Sequence, residues 1–227
     1  MKKIKYIALA IIGIASIEIA NAQGNAPMLG GGVQGYVPRI SFDGGKTIRN
    51  IGGVQREVEG SPFINEKWTK GIVYFVNGQS GEAEKLNYDA IDKVLVTQRD
   101  GQEMLYSQPI KEFILKDGTK DRKFRKVNDN FYEVLYDGNT KLLKLHTKAI
   151  IETASYGSAQ PINKIGDEAI FYVAGPNNTF EQVKNDKALL AAVSAKQEAV
   201  KKYVKDSSLN LKKESDMVKL LTYFDSL

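Results

Sequence analysis

His146 is the only histidine in the 227-residue chain, and it is the side chain best suited to acid–base chemistry near neutral pH. Strand alternation places Lys144, His146 and Lys148 on one face of their segment, and Leu143, Leu145 and Thr147 on the other. A catalytic histidine needs a carboxylate partner and a dry pocket, whereas two flanking lysines disfavour its charged form. The pattern therefore predicts a solvated surface histidine rather than a functional one, and it speaks against Ser-His-Asp catalysis.

Paired carboxylates are the remaining route to hydrolysis. A glycosidase needs two acidic side chains at a separation that its fold sets. The sequence offers many acidic pairs, and we interpret two of them, Glu82 with Glu84 and Asp89 with Asp92, as surface charges. Since sequence spacing does not select a pair, a secreted carboxylate-based hydrolase, similar to a glycosidase, stays open as the alternative function.

Metal, thiol and nucleotide chemistry lack their usual residues. The chain has no cysteine, which excludes disulfides and thiolate ligands, and a single histidine leaves a zinc site short of donors. The run Gly44-Gly45-Lys46-Thr47 resembles the end of a phosphate-binding loop, but Ile40 stands where that motif requires glycine. We therefore predict no catalytic residue, no metal and no cofactor, and the sequence does not identify the binding residues.

Aromatic residues in the predicted strands have two interpretations. They could form a ligand platform, or they could be core residues and cross-strand pairs, which is the commoner arrangement. Trp68 is expected to anchor packing near the start of the sheet. The five aromatic residues in question are Phe131, Tyr132, Tyr136, Phe171 and Tyr172.

Residues 1–22 have the three parts of a secretory signal peptide: a lysine-rich start, an apolar run over residues 6–17, and the small-x-small sequence Ala20-Asn21-Ala22. The apolar run has about 12 residues, against ~20 for a membrane span. Gln23 stands where a lipoprotein needs cysteine, so we expect no lipid anchor. The mature chain, with no transmembrane segment, is expected to be periplasmic, associated with the outer membrane, or extracellular.

The overall composition is typical of a folded domain with little excess charge. Hydrophobic residues make up 42% and charged residues 26% of the chain. Loss of the signal removes three lysines and one glutamate and so lowers the formal net charge of +5 by two. This excess is too small to indicate a nucleic-acid partner, and we expect none.

The strands that carry the candidate side chains are predicted by a series of hairpin signals. Four Asx-Gly pairs, which favour tight β-turns, lie between residues of strand character. They predict an antiparallel β domain over residues 61–183, built as a meander that forms a sheet or a partly closed barrel. The pairs are Asn77-Gly78, Asp100-Gly101, Asp117-Gly118 and Asp137-Gly138.

Segments of different character flank this domain. Residues 23–60 are glycine-rich and are expected to form a partly flexible N-terminal arm that adds short edge strands, with Ile40, Phe42, Ile48 and Ile51 as their apolar residues. Residues 184–227 have helical periodicity and predict two or three short helices packed on the sheet. The fold class expected for the whole is α+β, as one unit.

The C-terminal helices have recognisable boundaries. Asn185 or Asp186 is positioned to cap the first, and Ser194 with Gln197 has the spacing of a capping box for the second. The last, over residues 212–224, has Met217 and Leu220 on its apolar face together with Leu221 and Phe224.

The chain resembles secreted envelope proteins of Bacteroidetes that have no characterised activity. The resemblance covers residues 61–227 and implies export to the cell envelope. It assigns no site residues. The segments that carry it are Ser61-Pro62-Phe63-Ile64-Asn65, Gly71-Ile72-Val73-Tyr74, Phe131-Tyr132-Glu133-Val134-Leu135, Lys141-Leu142-Leu143-Lys144 and residues 209–227.

The sequence predicts a non-enzymatic function. Three features favour it: the export signal, the scarcity of catalytic residues, and an N-terminal arm suited to adding a strand to a partner. The protein is expected to be a binding or scaffold module of the periplasm or cell envelope, with a protein or glycan as its partner.

Overall fold

The computed structural model describes residues 36–39, 46–51, 54–153, 162–175 and 179–227, with side chains from residue 58 onward. The predicted signal peptide, Ile40, Phe42 and the glycine pair at 44–45 lie outside the described residues. The predictions made for them are therefore untested.

Thirteen strands and three α-helices make up the described chain. The strands are β1 Tyr36–Arg39, β2 Lys46–Ile51, β3 Val54–Glu59, β4 Thr69–Phe75, β5 Ser80–Asp89, β6 Val94–Arg99, β7 Gln102–Tyr106, β8 Ile110–Lys116, β9 Asp121–Val127, β10 Asn130–Asp137, β11 Lys141–Thr153, β12 Ile162–Ala174 and β13 Phe180–Val183. The helices are α1 Asp186–Ala192, α2 Gln197–Asp206 and α3 Glu214–Ser226.

All thirteen strands belong to one sheet, in the order β1-β7-β6-β5-β4-β8-β9-β10-β11-β12-β3-β2, with β13 also paired to β12. Every pair is antiparallel except β12 with β3. Within the described residues the end strands β1 and β2 do not pair, so the sheet is open and mixed. The predicted α+β class is correct, whereas the closure of a barrel is not present.

The Asx-Gly pairs all lie at the predicted chain reversals. Asp100 and Gly101 both have positive φ, of 49° and 80°, and form the two-residue turn between β6 and β7. The other three pairs lie in wider connections, so the type I′ geometry holds for one pair. The meander is also interrupted once, because β8 does not pair with β7 but returns to β4.

The first apolar core lies against one face of β4 to β10. Four aromatic rings form its centre, and those of Phe113 and Phe124 stack with centroids 4.7 Å apart. Tyr88 and Phe131 complete the group at 5.7 Å from each other. Burial of this much aromatic surface gives the face a large hydrophobic stabilisation.

The second core lies between the helices and strands β10 to β13. Met217, Leu220 and Leu221 of α3 are buried there, as predicted. The predicted cap of α1 is also confirmed, since Asn185 Oδ1 accepts a hydrogen bond from the amide of Ala188 at 2.9 Å. The capping box at Ser194 is wrong, because Ser194 lies inside a 3₁₀ turn that precedes α2.

None of the helices in the described part of the chain combines the length and apolarity needed to span a membrane.

Candidate functional site

His146 lies between the two cores, in a cluster of ionisable side chains. Its Nε2 is 2.6 Å from Oε2 of Glu133, and only 17% of its side chain is exposed. Lys144, His146 and Lys148 do share one face of β11, as predicted. The expectation that this face is solvated is wrong, because β9, β10, α3 and residues 61–64 supply side chains or backbone that cover it.

Glu133 is bound from a second side by Arg122. The guanidinium donates two parallel hydrogen bonds to the carboxylate, Nε to Oε1 at 3.0 Å and NH2 to Oε2 at 2.8 Å. Such bidentate pairs are among the strongest side-chain hydrogen bonds. Arg122 NH1 donates further to Asn65 Oδ1 at 2.6 Å, and Asn65 is itself held by the buried side chain of Asn87.

Three strands and one loop position this ionic cluster. Glu133 of β10 lies directly opposite Phe124 of β9 and Lys144 of β11. Arg122 lies two residues before Phe124 on β9, and His146 lies two residues after Lys144 on β11, so both are diagonal neighbours of Glu133 on the same face. The cluster therefore follows from the register of three adjacent strands.

The charge states within the cluster follow from its geometry. Burial alone would raise the pKa of Glu133, but hydrogen bonds from His146 and Arg122, together with the Arg122 charge, lower it to about 2. A carboxylate that is ionised can only accept hydrogen bonds, so we assign a proton to Nε2 of His146, which donates a hydrogen bond to Glu133. The 3.1 Å contact between that nitrogen and Arg122 NH2 is then a close approach of two donors.

A groove of about 340 Å³ opens beside this cluster, along β11 and β12. Its floor is formed at Ala169, which lies opposite His146. The larger Phe171 and Asp167 flank Ala169 on β12 and lie opposite Lys144 and Lys148. The small side chain at position 169 leaves the space, and Asp167 and the two lysines border it.

The two lysines of the groove are held by acidic partners. Lys148 Nζ is 2.7 Å from Asp167 Oδ1 and also donates to the carbonyl oxygen of Ser61 at 3.1 Å. Lys144 Nζ is 2.6 Å from Glu214 Oε1 of α3 and lies over the ring of Phe171. The groove therefore presents both cations and anions at one surface, an arrangement suited to binding a polar ligand.

The acidic pairs considered for hydrolysis have structural positions. Glu82 and Glu84 are exposed, as predicted, and Glu84 pairs with Lys70. Asp89 is not a surface charge, because it is fully buried and its Oδ1 accepts hydrogen bonds from the amides of Ile91 and Asp92. Its carboxylate organises the turn between β5 and β6.

The aromatic residues do not form one platform. Phe131 belongs to the first core, while Tyr136 and Phe171 pack beneath the helices. Tyr132 and Tyr172 lie on the opposite face of the sheet, where Phe180 stacks on Tyr172 with centroids 4.9 Å apart. Trp68 packs against Phe63 at 5.1 Å, in agreement with its expected role as an anchor.

Among the described residues, no group of three or more histidine or acidic side chains is arranged to hold a metal ion. Two partners of His146, Glu133 and Arg122, were not predicted from the sequence. A signal existed, because the hairpin centred on Asp137-Gly138 places the strand containing Glu133 beside the one containing His146.

No protein-family model, curated protein or solved structure matches the chain.

Proposed function

We propose that this protein is an exported, non-enzymatic binding module of the bacterial cell envelope. It holds a protein or glycan partner in the groove that runs beside His146. The proposal joins the predicted signal peptide and the envelope resemblance of the sequence to a site where, among the described residues, several polar side chains converge.

The observation that carries the proposal is the pairing of charges in and under the groove. Glu133 is bound by Arg122 and His146, and both groove lysines have acidic partners within 2.7 Å. The buried cluster of Glu133, Arg122 and His146 gives the groove a rigid base, and the lysines beside it offer directional donors for recognition. The cluster is poorly placed for proton transfer, since the Nε2 proton of His146 is already committed to a carboxylate of low pKa.

The hydrolase alternative receives no support from the described carboxyl groups. A glycosidase acid has a raised pKa, so that it is protonated when it meets its substrate. Every clearly displaced pKa among the described carboxyl groups moves the other way. The groups concerned are Asp117, Glu133, Asp137 and Asp216.

In-cell crosslinking tests the proposed function. A photo-crosslinkable residue is placed at Ala169, in the floor of the groove, and in a matched protein at the exposed Lys202 of α2. We expect a discrete adduct in the envelope fraction at position 169 and none at 202, with mass spectrometry deciding between protein and glycan. Recovery of the free chain alone from both proteins would overturn the proposal.

A further inference from the structure

The cations of the groove are more deeply buried than the anions that pair with them. Lys148 is 12% exposed, whereas its partner Asp167 is 69% exposed. Lys144 and Glu214 show the same contrast at 17% and 43%. An ion pair with an exposed carboxylate contributes little free energy, because water competes for that carboxylate. Asp167 and Glu214 can therefore be exchanged for another anion at small cost.

The lysines are also fixed in the absence of their acidic partners. The carbonyl oxygen of Ser61 binds Lys148 Nζ, and the ring of Phe171 lies 5.9 Å from Lys144 Nζ. Both ammonium groups border the space above Ala169, two residues on either side of His146. A carboxylate entering this space would meet two ordered, largely desolvated cations.

From this exchange geometry we infer that the groove binds the carboxylate of an acidic sugar, a uronic acid unit of an envelope glycan. The inference rests on the proposed function and names its ligand class. The ligand carboxylate replaces that of Asp167 on Lys148. Asp167, once released, accepts a hydrogen bond from a neighbouring ring hydroxyl, and Ile64 contacts an apolar face of the sugar ring.

The mixed charge of the groove favours a sugar acid over an acidic peptide. An acidic peptide and a polyuronate both bring one carboxylate per unit, so charge alone does not separate them. The peptide has few donors for Asp167 and Glu214, whereas a uronic acid carries several ring hydroxyl groups beside its carboxylate. Hydroxyl groups donate hydrogen bonds to the same acidic side chains.

Isothermal titration calorimetry of the full mature chain tests the inference with defined probes. These are a tetragalacturonate, a neutral cellotetraose and a tetraglutamate peptide. We expect binding of the tetragalacturonate alone, weakened by added salt. Lys148→Met keeps the aliphatic stem and should weaken binding at least about tenfold. Lys202→Ala is the matched control and should bind as the wild type does.

Two further variants keep the inference falsifiable if Lys148→Met does not fold. Ala169→Glu adds a competing carboxylate beside the two lysines, and should weaken binding of the tetragalacturonate at least about tenfold. Asp167→Asn removes the competing anion but keeps an acceptor, and should tighten binding by roughly two- to tenfold. A merely structural role for Asp167 predicts no gain in affinity.

Equal binding of the neutral tetrasaccharide, or preferential binding of the tetraglutamate, would overturn the inference. The absence of binding to all three probes would overturn it as well. The proposed function is judged separately, by the adduct at position 169 in cells. An adduct with no affinity for the acidic sugar would therefore refute the ligand class and leave the binding module standing.

Discussion

Nε2 of His146 lies 2.6 Å from Oε2 of Glu133, beneath the groove and between the two apolar cores. This hydrogen bond joins β11 to β10 by a diagonal contact, and Arg122 extends it to β9. The ionic cluster thereby fixes the relative positions of three strands where the first core ends and the helices begin. The ionic cluster also holds the groove in place, because His146 lines the groove directly opposite Ala169.

Replacement of Glu133 by glutamine should destabilise the protein at neutral pH and leave its stability less sensitive to acid. The folded-state pKa of Glu133 is about 2, below its ordinary value of 4.5. Its contribution is therefore fully present above about pH 4.5 and is lost as the pH falls towards 2. The shift corresponds to roughly 3 kcal/mol. Urea unfolding followed by circular dichroism between pH 2 and pH 7 measures the difference.

The shape of that pH dependence separates an electrostatic role of Glu133 from simple packing. The stability gap between wild type and Glu133→Gln should narrow as the pH falls from about 4.5 to 2. Glu84→Gln, at an exposed carboxylate, is the matched control and should stay within about 0.5 kcal/mol of wild type. A gap of constant size across this range would contradict the role assigned to Glu133.

Local sequence signals predicted most of the strands and helices, because turn residues and apolar periodicity act over short distances. The chain reversal at Asp100-Gly101 and the cap at Asn185 are examples. The same signals failed for β8, which pairs with β4 and not with β7, because no turn residue specifies a partner that is distant in sequence. Strand order in a large sheet is a property of the whole core.

The candidate site was predictable in part. Alternation correctly placed Lys144 and His146 on one face, but alternation does not say which face other elements cover. Lys144 is covered by Glu214, 70 residues further along the chain, and His146 is bound by Glu133 from the neighbouring strand. Such burial depends on contacts that no short window of sequence contains.

We expect Asp117 to titrate with a pKa of about 2. NMR of its carboxyl carbon as a function of pH would measure this value. Its Oδ1 accepts hydrogen bonds from the amide of Lys120 and from the hydroxyl and amide of Thr119, and these bonds favour the ionised form. Thr119→Ala removes the hydroxyl bond and should raise the pKa of Asp117 while leaving it below 3.8. Thr119→Ser keeps the bond and should change the pKa little. An unchanged pKa in Thr119→Ala would refute the role of the hydroxyl.

Gly71 should not tolerate alanine. A Cβ atom at this position would lie within 3.0 Å of the Ile114 carbonyl oxygen and of Leu86 Cδ2, and both belong to the packed sheet. We expect Gly71→Ala to cost about 1–3 kcal/mol of unfolding free energy, measured by urea denaturation. Gly166→Ala is the matched control, because its Cβ would meet the side chain of the exposed Ile151 at 3.3 Å. Equal losses in the two variants would contradict the close approach at Gly71.

Asp225 anchors the last turn of α3 to the connection between β10 and β11. Its Oδ2 accepts hydrogen bonds from the Tyr136 hydroxyl and from the amide of the buried Thr140, both at 3.0 Å. Asp225→Ala leaves that amide without its acceptor and should cost about 1–3 kcal/mol. Asp225→Asn keeps a carbonyl acceptor and should cost less.

A double-mutant cycle isolates the tyrosine half of this anchor. Tyr136→Phe removes the hydroxyl donor and should cost about 1 kcal/mol in the wild-type background. It should cost little in Asp225→Ala, where the acceptor is already gone, so the two losses fall short of additivity by about 0.5–1.5 kcal/mol. Hydrogen exchange should quicken in the last turn of α3, while the amides of Phe113 and Phe124 in the first core keep their protection. Strictly additive losses of unfolding free energy would contradict the hydrogen bond between Tyr136 and Asp225. A uniform rise in exchange across the sheet would show that Asp225 acts through global stability. Either result would argue against Asp225 as a local anchor of α3, the helix that supplies Glu214 to the groove.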